Sequence, residues 1–167
     1  MKRTPRGTPV GTDDHRDVID RCDWVTRDGL CRFALERPEH DPAFTAARLE
    51  DDYKCPFLDD DTAWTDCAHV RVTDRSRSCV RCGLEDRPMA HDPSATSLLH
   101  DHHVAYPEAD DIEVTVRVCR WCHAKIHRQG VRLDDDAEPD PEAVAELERR
   151  IRAEREETFT PASEDRD

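Results

Sequence analysis

Asparagine is missing from the chain, and lysine (3), glycine (5), methionine (2) and aromatic residues (5%) are all sparse among its 167 residues. So few large apolar side chains exclude a domain held together by a big hydrophobic core, and bound metal is expected to replace part of what is missing. No apolar run approaches the roughly 20 residues needed to cross a bilayer, and the N-terminus lacks the apolar stretch of a signal peptide. A cytoplasmic location is therefore expected. The scarcity of lysine is offset by 22 arginines, and 25 Asp with 14 Glu bring the net charge to -14. An Asp-rich, Lys-poor surface of this kind suits a halophilic cytoplasm, where salt screens like-charge repulsion within a few Å.

The acidity is uneven. Residues 1–67 carry 10 basic and 16 acidic groups, residues 68–133 carry 10 and 9, and residues 134–167 carry 5 and 14. The central segment is thus the least acidic, and it holds 7 of the 9 histidines. That balance permits phosphate binding without forming a basic stripe.

What the chain does have is cysteine. In a reducing compartment, Cys-x-x-Cys spacing reads as metal binding before disulfide formation. Cys79-Val-Arg-Cys82 and Cys119-Arg-Trp-Cys122 are two such knuckles, 36 residues apart. Each turn presents two thiolates to one side of an ion, so Cys79, Cys82, Cys119 and Cys122 are expected to form a tetrahedral structural zinc ribbon. The other four cysteines, Cys22, Cys31, Cys55 and Cys67, match no standard finger spacing. A second structural zinc site is expected there, with an iron–sulfur cluster or simply buried thiols as alternatives. Trp24, Phe33, Phe44, Phe57 and Trp64 would supply the apolar centre of that region.

Pattern divides the chain into a disordered leader at 1–17, a Cys-rich module at 18–70, a metal-binding α+β domain at 71–133, and an acidic spacer with a C-terminal helix and frayed end at 134–167. Asp41 as N-cap and Pro42 at the first helical position predict a helix to Tyr53. Residues 71–78 read as a linker. Leu98 to Tyr106 reads as a strand, and Ile112, Val114, Val116 and Val118 alternate with Glu113, Thr115 and Arg117 as a half-buried second strand. Cys122 to Gln129 should be helical and closed by Gly130, which tolerates a left-handed conformation. A last helix runs from Pro141 to about Glu157, with Val144, Leu147 and Ile151 on its apolar stripe. It could also serve a protein partner.

Residues four apart on a helix share a face, so His123 and His127 can bind one ion together. His100-Asp-His102-His103-Val-Ala-Tyr106, the valine-rich strand and Cys119-x-x-Cys122-His123-x-x-x-His127 occur in that order. This constellation, over residues 79 to 130, resembles the zinc-ribbon branch of the HNH endonuclease family. The resemblance implies a treble-clef-like ββα-metal core that cuts nucleic-acid phosphodiesters, DNA being the expected substrate, with one divalent ion (Mg2+, Mn2+, Ni2+ or Zn2+). It further implies His103 as general base, His102, His123 and His127 as ligands of the catalytic ion, and His100 as a bystander on the strand face of His102.

The chemistry suits those roles, since a neutral imidazole is a competent base at neutral pH and a divalent ion offsets charge growing on phosphate. Adjacent strand residues point to opposite faces, so His102 and His103 serve one site only where the strand ends or bulges. The family's central Asn, which orients the base, has no counterpart here. Asp110, Asp111 or Glu113 would have to take its place. Arg117, Arg120 and Arg128 are candidate nucleic-acid contacts. The alternative is a zinc module without catalysis that holds DNA or a protein through Arg71, Arg75, Arg77, Arg81, Arg117, Arg120 and Arg128. A redox or iron–sulfur protein built on the N-terminal cysteines is a third reading.

Overall fold

The computed structural model describes residues 21–58, 67–89, 92, 94–104 and 112–157. In chain order the elements are α1 (Arg32–Glu36), α2 (Pro42–Glu50), β1 (Arg71–Thr73), β2 (Leu99–Val104), β3 (Glu113–Cys119), α3 (Arg120–Gln129) and α4 (Pro141–Glu157). The fold is small and α+β, organised on a three-stranded mixed sheet in the order β1-β3-β2.

The alternation from Ile112 to Val118 forms β3 as the sequence predicts, and β3 lies at the centre of the sheet. Val114, Val116 and Val118 are all buried, as is Thr115 on the opposite face. β2 pairs with it antiparallel and without a bulge, from Leu99↔Cys119 through His102↔Val116 and His103↔Thr115 to Val104↔Val114. β2 is an edge strand. Tyr106, the turn expected at 107–111 and Trp64 fall outside the described residues.

Residues 71–73, expected within a linker, instead supply β1. It pairs parallel with β3 through Arg71↔Glu113, Val72↔Val114 and Thr73↔Thr115. Three residues are too few to show a period, but the burial of Val72 secures them in the sheet. The boundary drawn at residue 70 therefore does not separate one core from another. A single cluster of buried side chains runs from Cys22 and Phe33 through Val72 to Ile126 and Ala143.

Capping explains the helices. The Asp41 carboxylate accepts from the Phe44 amide at 2.9 Å with Pro42 in the first turn, so α2 starts where predicted. It stops at Glu50, short of Tyr53, because Asp52 and Tyr53 take left-handed φ values of 50 and 59°. In α3 the cap is a thiol: Cys119 Sγ accepts from the Cys122 amide at 3.4 Å. Gly130 closes the other end at φ 66°.

Of the predicted stripe on α4, Leu147 packs against the core and Ile151 is half-buried, but Val144 is not on the inward face. Ala143 is fully buried and Val144 exposed, while Arg150 reaches the Thr96 carbonyl at 2.8 Å and Glu146 at 3.1 Å. Polar ties help to dock this helix. Lys125 Nζ also meets Asp140 at 2.9 Å, joining α3 to the start of α4.

Candidate metal centre

Cys79 and Cys82 lie on the turn before β2, Cys119 ends β3, and Cys122 stands in the first turn of α3. All four are buried, and their sulfurs lie within 4.8 Å of one another. Cys82 and Cys119 are 3.8 Å apart. A tetrahedral ion with Zn–S bonds of about 2.3 Å requires an edge of about 3.8 Å, so the spacing fits zinc. Hydrogen bonds among the thiols, that from Cys119 first, hold Cys79 far below the ordinary thiol range and bring Cys122 down to about 7. The Arg81 guanidinium adds a contact to Cys122 Sγ at 3.8 Å. A buried set of four cysteines able to hold a metal ion such as zinc is thus present.

A second set lies between β2 and α3. His102, His123 and His127 each offer a nitrogen, all within 4.8 Å of one another. Alternation along β2 turns His102 toward the helix, and the i, i+4 spacing of α3 presents the other two. The Nε2 atoms of His123 and His127 are 3.2 Å apart, close to the tetrahedral edge of about 3.3 Å expected for Zn–N bonds near 2.0 Å.

His102 is buried and its Nε2 has no hydrogen-bond partner among the described residues. Burial, followed by the charges of His127, His123 and His103, lowers its pKa to about 4. Burial and then His127 likewise lower that of His123. Burial thus favours the neutral, ligand form of His102 and His123. An ion held by three imidazoles would keep a coordination position open, whereas four thiolates close theirs. His100 is exposed and stacks on His123 with ring centroids 5.9 Å apart, so it flanks the set without joining it.

His103 is placed differently. The unbulged pairing of β2 turns it to the sheet face opposite His102, where its Nδ1 lies 3.0 Å from Thr115 Oγ1. Thr115, which the sequence did not single out, partners the imidazole. Glu113, one of the expected orienting groups, pairs with Arg71 at 3.5 Å instead. The other two, Asp110 and Asp111, fall outside the described residues.

A family model matches residues 1–166. The chain belongs to DUF7097, a family of unknown function. No curated protein and no solved structure matches it.

The arginines of the DUF7097 chain are scattered. Arg71 and Arg75 line an open groove of about 1010 Å³ together with Arg21, Arg27 and Arg32. Arg117 pairs with Asp101 at 3.3 Å, Arg120 lies over the Trp121 ring, and Arg81 donates to the Arg132 carbonyl at 2.9 Å. Arg77 lines a separate shallow groove near Asp86, and Arg128 is exposed on α3. The N-terminal cysteines are all buried and free of disulfides. Trp24, Phe33, Phe44 and Phe57 surround them as the sequence suggests. Among the described residues no helix is long and apolar enough to cross a membrane.

Proposed function

We propose that this chain is a metal-dependent, HNH-type endonuclease that hydrolyses phosphodiester bonds of nucleic acid, with DNA as its expected substrate. The observation that carries the reading is the convergence of His102, His123 and His127 beside a buried four-cysteine set. In this reading the four cysteines hold a structural zinc and the three imidazoles hold a divalent ion. Such an ion supplies positive charge to offset that growing on the scissile phosphate.

The remaining work falls to His103. In this reading Nδ1 donates its proton to the Thr115 hydroxyl 3.0 Å away, so that Nε2 keeps its lone pair to accept the proton of an attacking water. Because β2 is the sheet edge, the ring can meet a substrate lying along that edge, although it stands on the opposite face from His102.

That placement also favours a second reading, in which the chain is a zinc module that binds DNA or a protein without cutting. Plasmid nicking at high salt with Mg2+, Mn2+, Ni2+ or Zn2+, run beside metal counting, separates the two. The enzyme reading expects nicking by the wild type and its loss in His102→Ala and His103→Ala, with the chelator-labile ion lost only from His102→Ala. A wild type that binds the labile ion yet never nicks favours the module. Equal nicking by wild type and His103→Ala removes His103 as the base.

A further inference from the structure

Cys22, Cys31, Cys55 and Cys67 take no part in either set described above, yet all four are buried in the same core. Buried free thiols often act as small hydrophobes, and such thiols need no polar contacts. These four are surrounded differently. Each is followed two residues later by a ring: Cys22-Asp-Trp24, Cys31-Arg-Phe33, Cys55-Pro-Phe57 and Cys67-Ala-His69. The N-terminal region is thus a fourfold repeat of Cys-x-ring, scattered over segments too far apart for a standard finger.

The repeat has a structural counterpart. Backbone pairing draws the copies together: Cys31 donates to the Tyr53 carbonyl at 2.7 Å, Cys55 to that of Gly29 at 2.9 Å, and Asp23, next to Cys22, to that of Arg71 at 2.6 Å. Three of the copies also close the same tight turn, Val25 on the Cys22 carbonyl at 3.1 Å, Leu58 on Cys55 at 3.2 Å and Val70 on Cys67 at 3.4 Å.

The rings then bind the turns to one another. Phe33 stacks on His69 at 3.9 Å and meets Trp24 edge-on at 5.5 Å. His69 is fixed by Asp41 at 2.9 Å, so it braces the cluster while the cysteines face inward. Val25 bridges antiparallel to Cys31 and Leu30 to Lys54, so the segments that carry Cys22, Cys31 and Cys55 lie side by side.

We infer that Cys22, Cys31, Cys55 and Cys67 form a second four-thiolate zinc site, assembled from four separate Cys-x-ring turns and independent of any catalysis. Its sulfurs stand wider than those of the ribbon, which meet the 4.8 Å spacing while these do not. A bound zinc ion draws them in to the tetrahedral edge of about 3.8 Å. The site ties residues 22 to 67 into the same core as the sheet, as a metal does in a region poor in apolar side chains.

The test is zinc per chain in the full-length His102→Ala protein, purified under reducing conditions, a background in which the imidazole set contributes no ion. Two zinc ions per chain are expected, falling to one on adding Cys67→Ser. Loading with Co2+ should give thiolate-to-cobalt absorption about twice that of the Cys67→Ser variant. One zinc ion per folded His102→Ala chain overturns the inference, as does a Cys67→Ser protein that keeps both. Iron with the visible absorbance of a cluster overturns it too. Should Cys67→Ser fail to fold, the stoichiometry of the His102→Ala parent alone decides.

Discussion

Replacing His102 by leucine is expected to stabilise the protein when the imidazole site carries no ion, and to abolish the stabilisation that an ion brings. His102 is 2% exposed, and its Nε2 is a buried polar atom with no partner among the described residues. An orphan of this kind costs about 1–3 kcal/mol. Leucine has a similar volume, and a shape change of that size costs below about 1.5 kcal/mol, so a net gain of roughly 1 kcal/mol is expected at pH 7.

The gain should grow in acid. Folding lowers the His102 pKa from 6.5 to about 4, chiefly by burial. Above pH 6.5 the ring is neutral folded and unfolded, and no difference arises. Between pH 6.5 and about 4 the unfolded chain takes up a proton that the folded chain refuses, so the wild type loses stability as the pH falls. At about 1.4 kcal/mol per pH unit, the advantage of leucine widens by about 1.4 kcal/mol by pH 5.5. Urea unfolding of both proteins at pH 7.5 and 5.5 measures this, and the thiolate sites, common to both, cancel in the difference. Adding a divalent ion at 100 times its Kd should stabilise the wild type alone, by about 2.7 kcal/mol, and reverse the order. A leucine variant less stable than wild type at both pH values without added ion, or one that gains equally from the ion, would refute the reasoning.

Cys119→Ser removes a ribbon ligand and the cap of α3 together. A structural zinc contributes about 10–16 kcal/mol, as much as the whole stability of a typical domain, so circular dichroism should show the sheet and α3 unfolded. Thr115→Val should leave the fold and the labile ion intact and slow nicking about tenfold, a fraction of what a general base contributes, with Thr115→Ser restoring most of the rate. Gly130→Ala places a Cβ at φ 66° and should cost about 1 kcal/mol in thermal unfolding, with no change in metal content.

The ribbon was legible because Cys-x-x-Cys spacing encodes a local turn, and α3 because Gly130 and the i, i+4 histidines mark its end and its face. β3 was legible from its valine alternation. Long-range pairing was not. β1 is three residues long and has no period to read, and its place in the sheet follows from Val72 meeting Val114. The partnership of His103 with Thr115 depends on strand register, and the stretch joining β2 to β3 is too long for a turn type to set it. Alternation already warned that His102 and His103 diverge; only the unbulged register shows that they do. On α4 the pattern found Leu147 and Ile151 but misplaced Val144, because Ala143 is the buried residue and Arg150 docks by hydrogen bonds that hydrophobic pattern does not report.

The two described metal sets are coupled in one direction. Cys119 ends β3 and caps α3, and Cys122 precedes His123 directly, so the ribbon fixes the angle at which α3 leaves the sheet. Val80 donates to the Arg117 carbonyl at 2.9 Å and Arg120 to that of Leu98 at 3.2 Å, binding the first knuckle and the helix start to the same strands. The distance from His102 on β2 to His123 and His127 on α3 is therefore set by ribbon geometry. Stripping the ribbon must disperse the imidazoles, whereas stripping an ion from the imidazoles leaves the ribbon closed, since no ribbon sulfur depends on them. Graded chelation should accordingly release the imidazole-bound ion first with the fold intact. The ribbon zinc should leave only with unfolding, and no condition should yield an imidazole site that survives its loss.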